Sequence, residues 1–159
     1  MPHKLDVTLP SSREVKVVRS FDAPARLVFD CHTRPDLVRR WLTGTEGWSM
    51  PVCEIDLRVG GAFRYVWRND TSGFEFGARG IWKEIVAPTR IVHTEIMDGF
   101  DGELLCTYAV VEEGGRTTMS ITMLFASEAA RDGAVKTGMT DGMGQSYDRL
   151  DELMKEKVG

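Results

Sequence analysis

The stretch GMTDGMGQSYDRLDELMKEKV, residues 138–158, is the longest helical pattern in the sequence and the one that decides the fold. Its apolar residues recur at steps of four and three, which places them on one stripe of an α-helix. They are Met139, Met143, Tyr147, Leu150 and Met154. Most other positions, including Asp151, are charged or polar and are expected to face water. A helix with such a stripe needs an apolar surface to cover.

Three glycines weaken the start of this helix by about 0.8 to 1 kcal/mol each relative to alanine. Gly138, Gly142 and Gly144 could let a strand approach closely, or could keep one wall of a cavity free of side chains. They could also mark a bend between a short helix and a longer one. The pattern leaves these three interpretations open.

Length and composition predict one globular domain, residues 1–159, because 42% of the residues are hydrophobic and can form a sizeable core. Residues 1–14 are predicted to be a flexible N-terminal extension. The net charge of −4, without a basic patch, argues against nucleic acid as a partner. No apolar run reaches membrane-spanning length, and residues 1–12 lack the features of a signal peptide. We therefore expect a cytoplasmic protein that does not bind a membrane.

The cysteines and histidines do not form a recognisable metal site. Cys31, Cys53 and Cys106 are widely spaced and odd in number, which favours buried, reduced thiols over a disulfide framework. His32 and His93 show no metal-ligand spacing with a third ligand. We expect neither a metal nor a cofactor.

Hydrophobic periodicity predicts the order of the elements. A strand at residues 15–21, whose inward face is interrupted by Arg19, is followed by two short helices, the second at residues 35–42. Residues 44–50 are expected to form a Gly-rich loop. From Val52 the period changes to two and predicts six consecutive strands of one antiparallel sheet with one apolar face. The predicted fold is therefore α+β, in the order β-α-α-β-β-β-β-β-β-α, with the last helix covering the apolar face.

Four runs of the sequence resemble a known superfamily. They are FDAPARLVFD (21–30), CEIDLRVGGAFRYVW (53–67), RIVHTE (90–95) and GMTDGMGQSYDRLDELM (138–154). With the order of elements, they resemble the SRPBCC (START-like) superfamily, and within it the single-domain type of the family named after the activator of heat-shock protein 90 ATPase. The resemblance implies a helix-grip fold, in which a curved antiparallel sheet wraps around the long C-terminal helix and encloses a hydrophobic cavity.

The resemblance also implies the binding of a small hydrophobic molecule, since single-domain relatives are known mostly as binders of such molecules. Aromatic walls with few polar groups are typical of small-molecule pockets, and methionines adapt to several ligand shapes. Each such residue could equally belong to an ordinary core. The candidate ligand-binding residues are Trp41, Trp48, Phe63, Tyr65, Trp67, Trp82, Met119, Met139, Met143 and Tyr147.

Two other functions stay open. His93 and Glu95 stand two apart on one predicted strand and share a face, so they could act as acid and base in an enzyme like the polyketide cyclases and aromatases of the superfamily. Alternatively, they form an outward polar pair or include a hydrogen-bonded histidine of the sheet. The third possibility is an interaction module for a chaperone or for a homodimer. Fewer than about 15 residues precede the first predicted strand, against roughly 50 for a minimal domain. We therefore do not expect the separate N-terminal domain with which the activator stimulates the chaperone.

Overall fold

Eight strands and four helices form the part of the chain that the structure, a computed structural model, describes: residues 3–43, 46–100 and 102–158. The strands are β1 (Asp6–Thr8), β2 (Glu14–Phe21), β3 (Trp48–Ile55), β4 (Ala62–Asn69), β5 (Glu75–Val86), β6 (Arg90–Met97), β7 (Leu104–Glu113) and β8 (Arg116–Leu124). The helices are α1 (Ala25–Thr33), α2 (Pro35–Val38), α3 (Glu128–Lys136) and α4 (Met139–Val158). All eight strands pair antiparallel in one sheet, in the order β1-β2-β8-β7-β6-β5-β4-β3.

Helix α4 packs on one face of this sheet, which we call the inner face. Tyr147 and Leu150 of α4 share a core cluster with strand residues such as Phe63 and Met119. Burial of apolar side chains from both elements is the main source of stability in such a two-layer fold. The predicted α+β helix-grip fold is confirmed.

The apolar stripe of α4 faces the core as predicted, but the buried surface of the helix is wider. Leu150 is fully buried, and Leu153 beside the stripe is also buried. The prediction that Asp151 faces water is wrong, because it is 7% exposed. Helix α1 contacts α4 in addition to the sheet, so more than one stripe is covered. Asp151 keeps an ion pair with Lys155, 3.5 Å away and one turn later.

Two elements were not expected from the sequence. Strand β1 lies in the segment predicted to be a flexible extension, where Val7 pairs with Val17 of β2. Its three residues are too few to show a hydrophobic period. Helix α3 begins after Ser127, whose side chain accepts a hydrogen bond from the backbone N–H of Ala130 and so caps the helix.

Two predicted boundaries were wrong. The second helix ends at Val38, and residues 39–43 continue as turns. Strand β3 already begins at Trp48, inside the stretch predicted as a loop, while residues 44 and 45 of that stretch lie outside the described residues. Pro51 is compatible with β3 because this strand is at the edge of the sheet, where a missing N–H group breaks no ladder. The register of the strand also shifts between Ser49 and Val52.

The three glycines near the start of α4 differ in their surroundings. Gly138 has a φ of +79° and separates α3 from α4, which is the bend considered above. At Gly142 and Gly144, an added Cβ would meet no atom within 4 Å, so no strand approaches these two glycines closely.

Two predictions from composition can also be compared with the structure. All three cysteines are free and buried, as expected. In the described parts of the chain, we find no helix with the length and apolar character needed to cross a membrane.

Candidate functional site

Three aromatic side chains and a histidine lie against one another on the inner face, where β4, β5 and β6 are neighbours. The ring centroid of Phe63 is 4.9 Å from that of Tyr65 and 5.1 Å from that of Trp82. The His93 ring is 5.3 Å from Phe63 and 5.2 Å from Trp82. Cross-strand pairing places Trp82 beside His93 and Phe63 beside Gly80. Since a Cβ at Gly80 would overlap the Phe63 ring, the glycine makes this arrangement possible.

His93 and Glu95 face the same interior. Both lie on β6, and His93 pairs with Cys106 of β7, which packs in a core cluster with Met143 of α4. The Nε2 atom of His93 is 4.0 Å from Oε1 of Glu95, which is longer than a hydrogen bond. The two side chains are 19% and 23% exposed although they lie on a central strand under the helix. They are not the outward pair that the sequence left possible.

Burial in the interior shifts the pKa values of His93 and Glu95. Desolvation by burial raises the pKa of Glu95 to about 7 and lowers the pKa of His93 to about 4. His93 is therefore neutral near pH 7, and Glu95 is divided between its protonated and ionised forms. Among the described residues, no Lys or Arg side chain forms an ion pair with Glu95.

Glu95 lies close enough to three other titratable groups to affect them. Burial raises the pKa values of Tyr65, Cys106 and Tyr147, and the charge of Glu95 raises each of them further. These residues come from β4, β7 and α4, so Glu95 is surrounded by side chains from both layers of the fold. Because their pKa values are raised, all three stay neutral at neutral pH.

Several buried polar atoms on this side of the sheet have no hydrogen-bond partner within the described parts of the chain. They include Nδ1 of His93, Nε1 of Trp82, Oη of Tyr108 and Nε2 of His32. An unpaired buried polar group costs about 1 to 3 kcal/mol, so such atoms are unusual in a closed core. These four atoms are hydrogen-bonding groups that the described chain leaves unsatisfied.

A buried cation lies on β2. Arg19 is 1% exposed, and its Nη1 atom donates a 2.8 Å hydrogen bond to Asp148 of α4. The guanidinium carbon is 5.5 Å from the centroid of the Phe21 ring. The sequence showed that Arg19 interrupts an apolar face but did not identify its partner.

The ten predicted ligand-binding residues are distributed over several parts of the core. Phe63 and Trp82 contact His93, and Tyr65 contacts Phe63. Trp41 and Tyr147 lie 5.2 Å apart between ring centroids, and Trp41 donates a 2.8 Å hydrogen bond to the backbone of Cys31. Met119 is fully buried in the same core cluster as Phe63, whereas Met139 and Met143 are half-buried and pack against the second core cluster.

The remaining two, Trp48 and Trp67, are half-buried and lie at the far end of β3 and β4. Their neighbours are Phe74 and Phe76, with ring centroids 5.6 Å apart for Trp48 and Phe76 and 5.2 Å apart for Trp67 and Phe76. Trp67 donates a 2.7 Å hydrogen bond to the backbone of Leu42. This aromatic group adjoins the one around His93, because the Trp67 ring is also 5.9 Å from that of Tyr65.

Sequence reasoning missed two polar residues of the interior. His32 of α1 and Tyr108 of β7 are in contact, with ring centroids 4.9 Å apart and ring planes tilted by 52°. Burial lowers the pKa of His32 to about 4, and its Nδ1 atom is 2.7 Å from the backbone oxygen of Val28. Tyr108 could have been found from the alternation of β7, because it shares a face with Cys106 and Val110.

Two clefts lie elsewhere on the surface. One, of about 630 Å³, is lined by the β7–β8 turn together with Asp22, and the other, of about 450 Å³, lies beside the polar face of α4. None of the ten predicted ligand-binding residues lines either cleft.

Comparison with known proteins identifies related sequences and folds. The model of a family described as "Activator of Hsp90 ATPase homolog 1-like protein" matches residues 22–155. No curated protein matches the sequence significantly.

Solved structures with this fold come from several bacteria. A protein from Rhodobacter sphaeroides is 27% identical and superimposes with a TM-score of 0.91, covering 96% of this chain and 99% of its own. Protein CV1439 from Chromobacterium violaceum is 26% identical with a TM-score of 0.79, covering 90% of this chain and 97% of its own. CalU16 from Micromonospora echinospora, at 22% identity and a TM-score of 0.60, covers 96% of this chain and 88% of its own and shares the fold.

Proposed function

The chain belongs to the family of activator of Hsp90 ATPase homolog 1-like proteins, and from this premise and the geometry of the inner face we propose that it binds a small, mainly hydrophobic molecule between the sheet and helix α4. The observation that carries the proposal is the position of His93 and Glu95. They lie on a central strand, face the helix and remain 19% and 23% exposed. A packed core would leave no such accessible surface at this depth.

The first turns of α4 support the same proposal. Gly142 and Gly144 are half-buried, and each has open space where a side chain would begin. Met143 between them is half-buried and packs against the second core cluster. A glycine pair that weakens the helix by about 2 kcal/mol in total is explained if bulky side chains there would exclude a ligand.

A neutral fluorescent probe, N-phenyl-1-naphthylamine, tests this function. The wild-type protein should bind one equivalent saturably. At 100 times its Kd, the probe should add about 2.7 kcal/mol to the free energy of unfolding, because it favours the folded state. Titration by fluorescence and thermal unfolding measure the two effects.

Two substitutions to tryptophan, one inside the proposed site and one outside it, show whether the probe binds at that site. Met143→Trp should fill the proposed space and abolish probe binding while the protein stays folded. Leu105→Trp adds a tryptophan at a position that is 38% exposed and should leave binding unchanged. Absence of saturable binding to the wild type would rule out the proposed function, whatever the stability of the variants.

Acid–base catalysis is a second candidate, favoured by the inward position of His93 and Glu95. Ionised Glu95 could remove a proton from the carbon next to a carbonyl group. The electron pair of the broken C–H bond would move to the carbonyl oxygen, and neutral His93 could donate a hydrogen bond to that oxygen.

The ketone 2-tetralone tests this chemistry, because exchange of its C1 protons in D₂O can be followed by NMR. The wild type should accelerate the exchange, and Glu95→Gln should abolish the acceleration. Equal rates with the wild type and the variant would exclude Glu95 as the base.

A further inference from the structure

We propose that the polar end of the bound molecule is a protonated amine and that Glu95 is the group that binds it. The inference rests on the proposed binding function and names the chemical class of the ligand. It predicts an apolar, preferably aromatic body that carries one cationic nitrogen.

The first argument is that Glu95 lacks a cationic partner. Its one ion-pair neighbour in the described chain is His93, at 4.0 Å, and the environment of His93 disfavours the protonated form. The buried cation of the same face, Arg19, pairs with Asp148 and not with Glu95, while its Nε and Nη2 atoms have no hydrogen-bond partner in the described chain. A carboxylate in a low-dielectric interior is stabilised most by a charge of opposite sign that donates hydrogen bonds to it.

The second argument comes from the surrounding aromatic rings. Tyr65 and Tyr147 lie near enough for the charge of Glu95 to raise their pKa values in addition to the effect of burial. Phe63 packs against Tyr65 with centroids 4.9 Å apart. Aromatic faces attract ammonium groups, so these rings suit a cation better than an anion.

The third argument is the presence of buried, unpaired polar atoms at His93 and at its neighbour Trp82, since Nε2 of His93 is 4.0 Å from the Glu95 carboxylate. Trp82 is 3% exposed, and its Nε1 atom has no partner within the described chain. Nδ1 of His93, against the Trp82 ring, is also unpaired there. Nδ1 of neutral His93 can accept a hydrogen bond from an ammonium group, and the Trp82 N–H group, which only donates, would pair with an acceptor elsewhere on the ligand.

An anionic ligand fits the same place poorly. Its carboxylate would face Glu95 without an intervening cation, and like charges at short distance in a low-dielectric site repel strongly. The net charge of the protein, −4, also favours the approach of a cation over that of an anion.

Three ligands with one ring system and different charges test the proposal: 2-naphthylmethylamine, 2-naphthylmethanol and 2-naphthoate. At pH 7 we expect the amine to bind at least tenfold more tightly than the alcohol. The carboxylate should bind at least tenfold more weakly than the alcohol. Isothermal titration calorimetry with the wild-type protein gives all three affinities.

Two variants that each remove one negative charge show whether amine binding depends on Glu95 itself or on the net charge of the protein. Glu95→Gln should weaken amine binding at least tenfold and alter alcohol binding less than threefold. Glu54→Gln, on the edge strand β3 where the residue is exposed, should leave all three affinities unchanged. An equal loss of amine affinity in both variants would overturn the proposal.

Proton release provides a measurement that does not depend on the variants. The groups around Glu95 are His93, Tyr65, Cys106 and Tyr147, and their pKa values lie well outside the range from pH 6 to 8. Binding of the ammonium group favours ionised Glu95, so part of a proton should be released at pH 7. Calorimetry in phosphate and Tris buffers, which differ in ionisation enthalpy, should show this release for the amine and none for the alcohol.

The results of these experiments distinguish failure of the amine assignment from failure of the proposed binding function. If the alcohol binds and the amine binds no more tightly, or releases no proton, the amine assignment is overturned while hydrophobic binding stands. If none of the three naphthalene compounds binds to the wild type, the proposed function fails together with the inference.

Discussion

The guanidinium group of Arg19, on strand β2, donates a 2.8 Å hydrogen bond to the carboxylate of Asp148, on helix α4. Arg19 is 1% exposed and Asp148 is 67% exposed. The pair therefore links a buried cation to a carboxylate that is still hydrated. It also connects the two layers of the fold, because β2 belongs to the sheet and α4 covers it.

Asp148→Ala should lower the free energy of unfolding by about 1 to 3 kcal/mol, because the buried guanidinium group loses a charged acceptor. Urea unfolding followed by circular dichroism measures the change. The control is Glu156→Ala, which removes an exposed ion pair with Arg40 and should change stability by less than about 0.5 kcal/mol.

The double variant Arg19→Met, Asp148→Ala should recover part of this loss, since a buried charge pair can often be replaced by apolar side chains of similar volume. An Asp148→Ala variant as stable as the wild type would show that the hydrogen bond contributes nothing to the fold.

Leu150 connects α4 to the inner face and is fully buried. Leu150→Ala should lower the free energy of unfolding by about 2 to 5 kcal/mol, through lost apolar burial and the cavity left behind. Val158→Ala, at a position that is 57% exposed on the same helix, is the control and should have little effect. A loss below about 0.5 kcal/mol for Leu150→Ala would mean that α4 packs with another face.

Two glycines with opposite surroundings give a matched pair of substitutions. At Gly80, an added Cβ would overlap the backbone oxygen of Thr94 and the Phe63 ring, so Gly80→Ala should destabilise the protein by about 1 to 3 kcal/mol. At Gly142, the Cβ would meet open space within a helix, so Gly142→Ala should stabilise it by up to about 1 kcal/mol. Denaturant unfolding of both variants measures the two changes in stability. If both variants were destabilised, or both stabilised, the surroundings of the two glycines would not differ as the structure shows.

The order of the main elements could be predicted from the sequence because their periodicity is strong. Strand β8 alternates apolar and polar residues, and α4 repeats its apolar residues at helical spacing. Strand β1 has three residues and no such pattern. The burial of Asp151 could not be predicted, because the helical pattern assigns a charged residue outside the apolar stripe to the exposed face.

The candidate site could be predicted only in part. The spacing of His93 and Glu95 places them on one face of a strand, but it does not say which face. On β6 the residues of the opposite face, Val92 and Thr94, are 9% and 6% exposed, so both faces of this strand are covered. An alternation of polar and apolar residues identifies the inner face only where the other face meets water. The partner of Arg19 could not be predicted from local patterns either, because 129 residues separate Arg19 from Asp148.

The interior groups predict a dependence of stability on pH. Because the pKa of Glu95 is raised from 4.5 to about 7 by desolvation, its contribution to stability is fully present below pH 4.5 and is lost as the pH rises through 7. For His93 and His32, desolvation lowers the pKa from 6.5 to about 4. Their contribution is therefore present above pH 6.5 and is lost as the pH falls through 4.

Glu95→Gln isolates the first of these effects, because both histidines titrate in the variant as they do in the wild type. Glutamine is neutral at every pH, so the variant avoids the cost of an ionised carboxylate in the interior. The free energy of unfolding of Glu95→Gln minus that of the wild type should therefore increase from pH 5 to pH 8, by an amount of the order of 3 kcal/mol, and level off above pH 7. Urea unfolding of both proteins at pH 5, 6, 7 and 8 measures this difference. A constant difference across that range would show that Glu95 titrates as an exposed glutamate does, and would place its carboxylate in water.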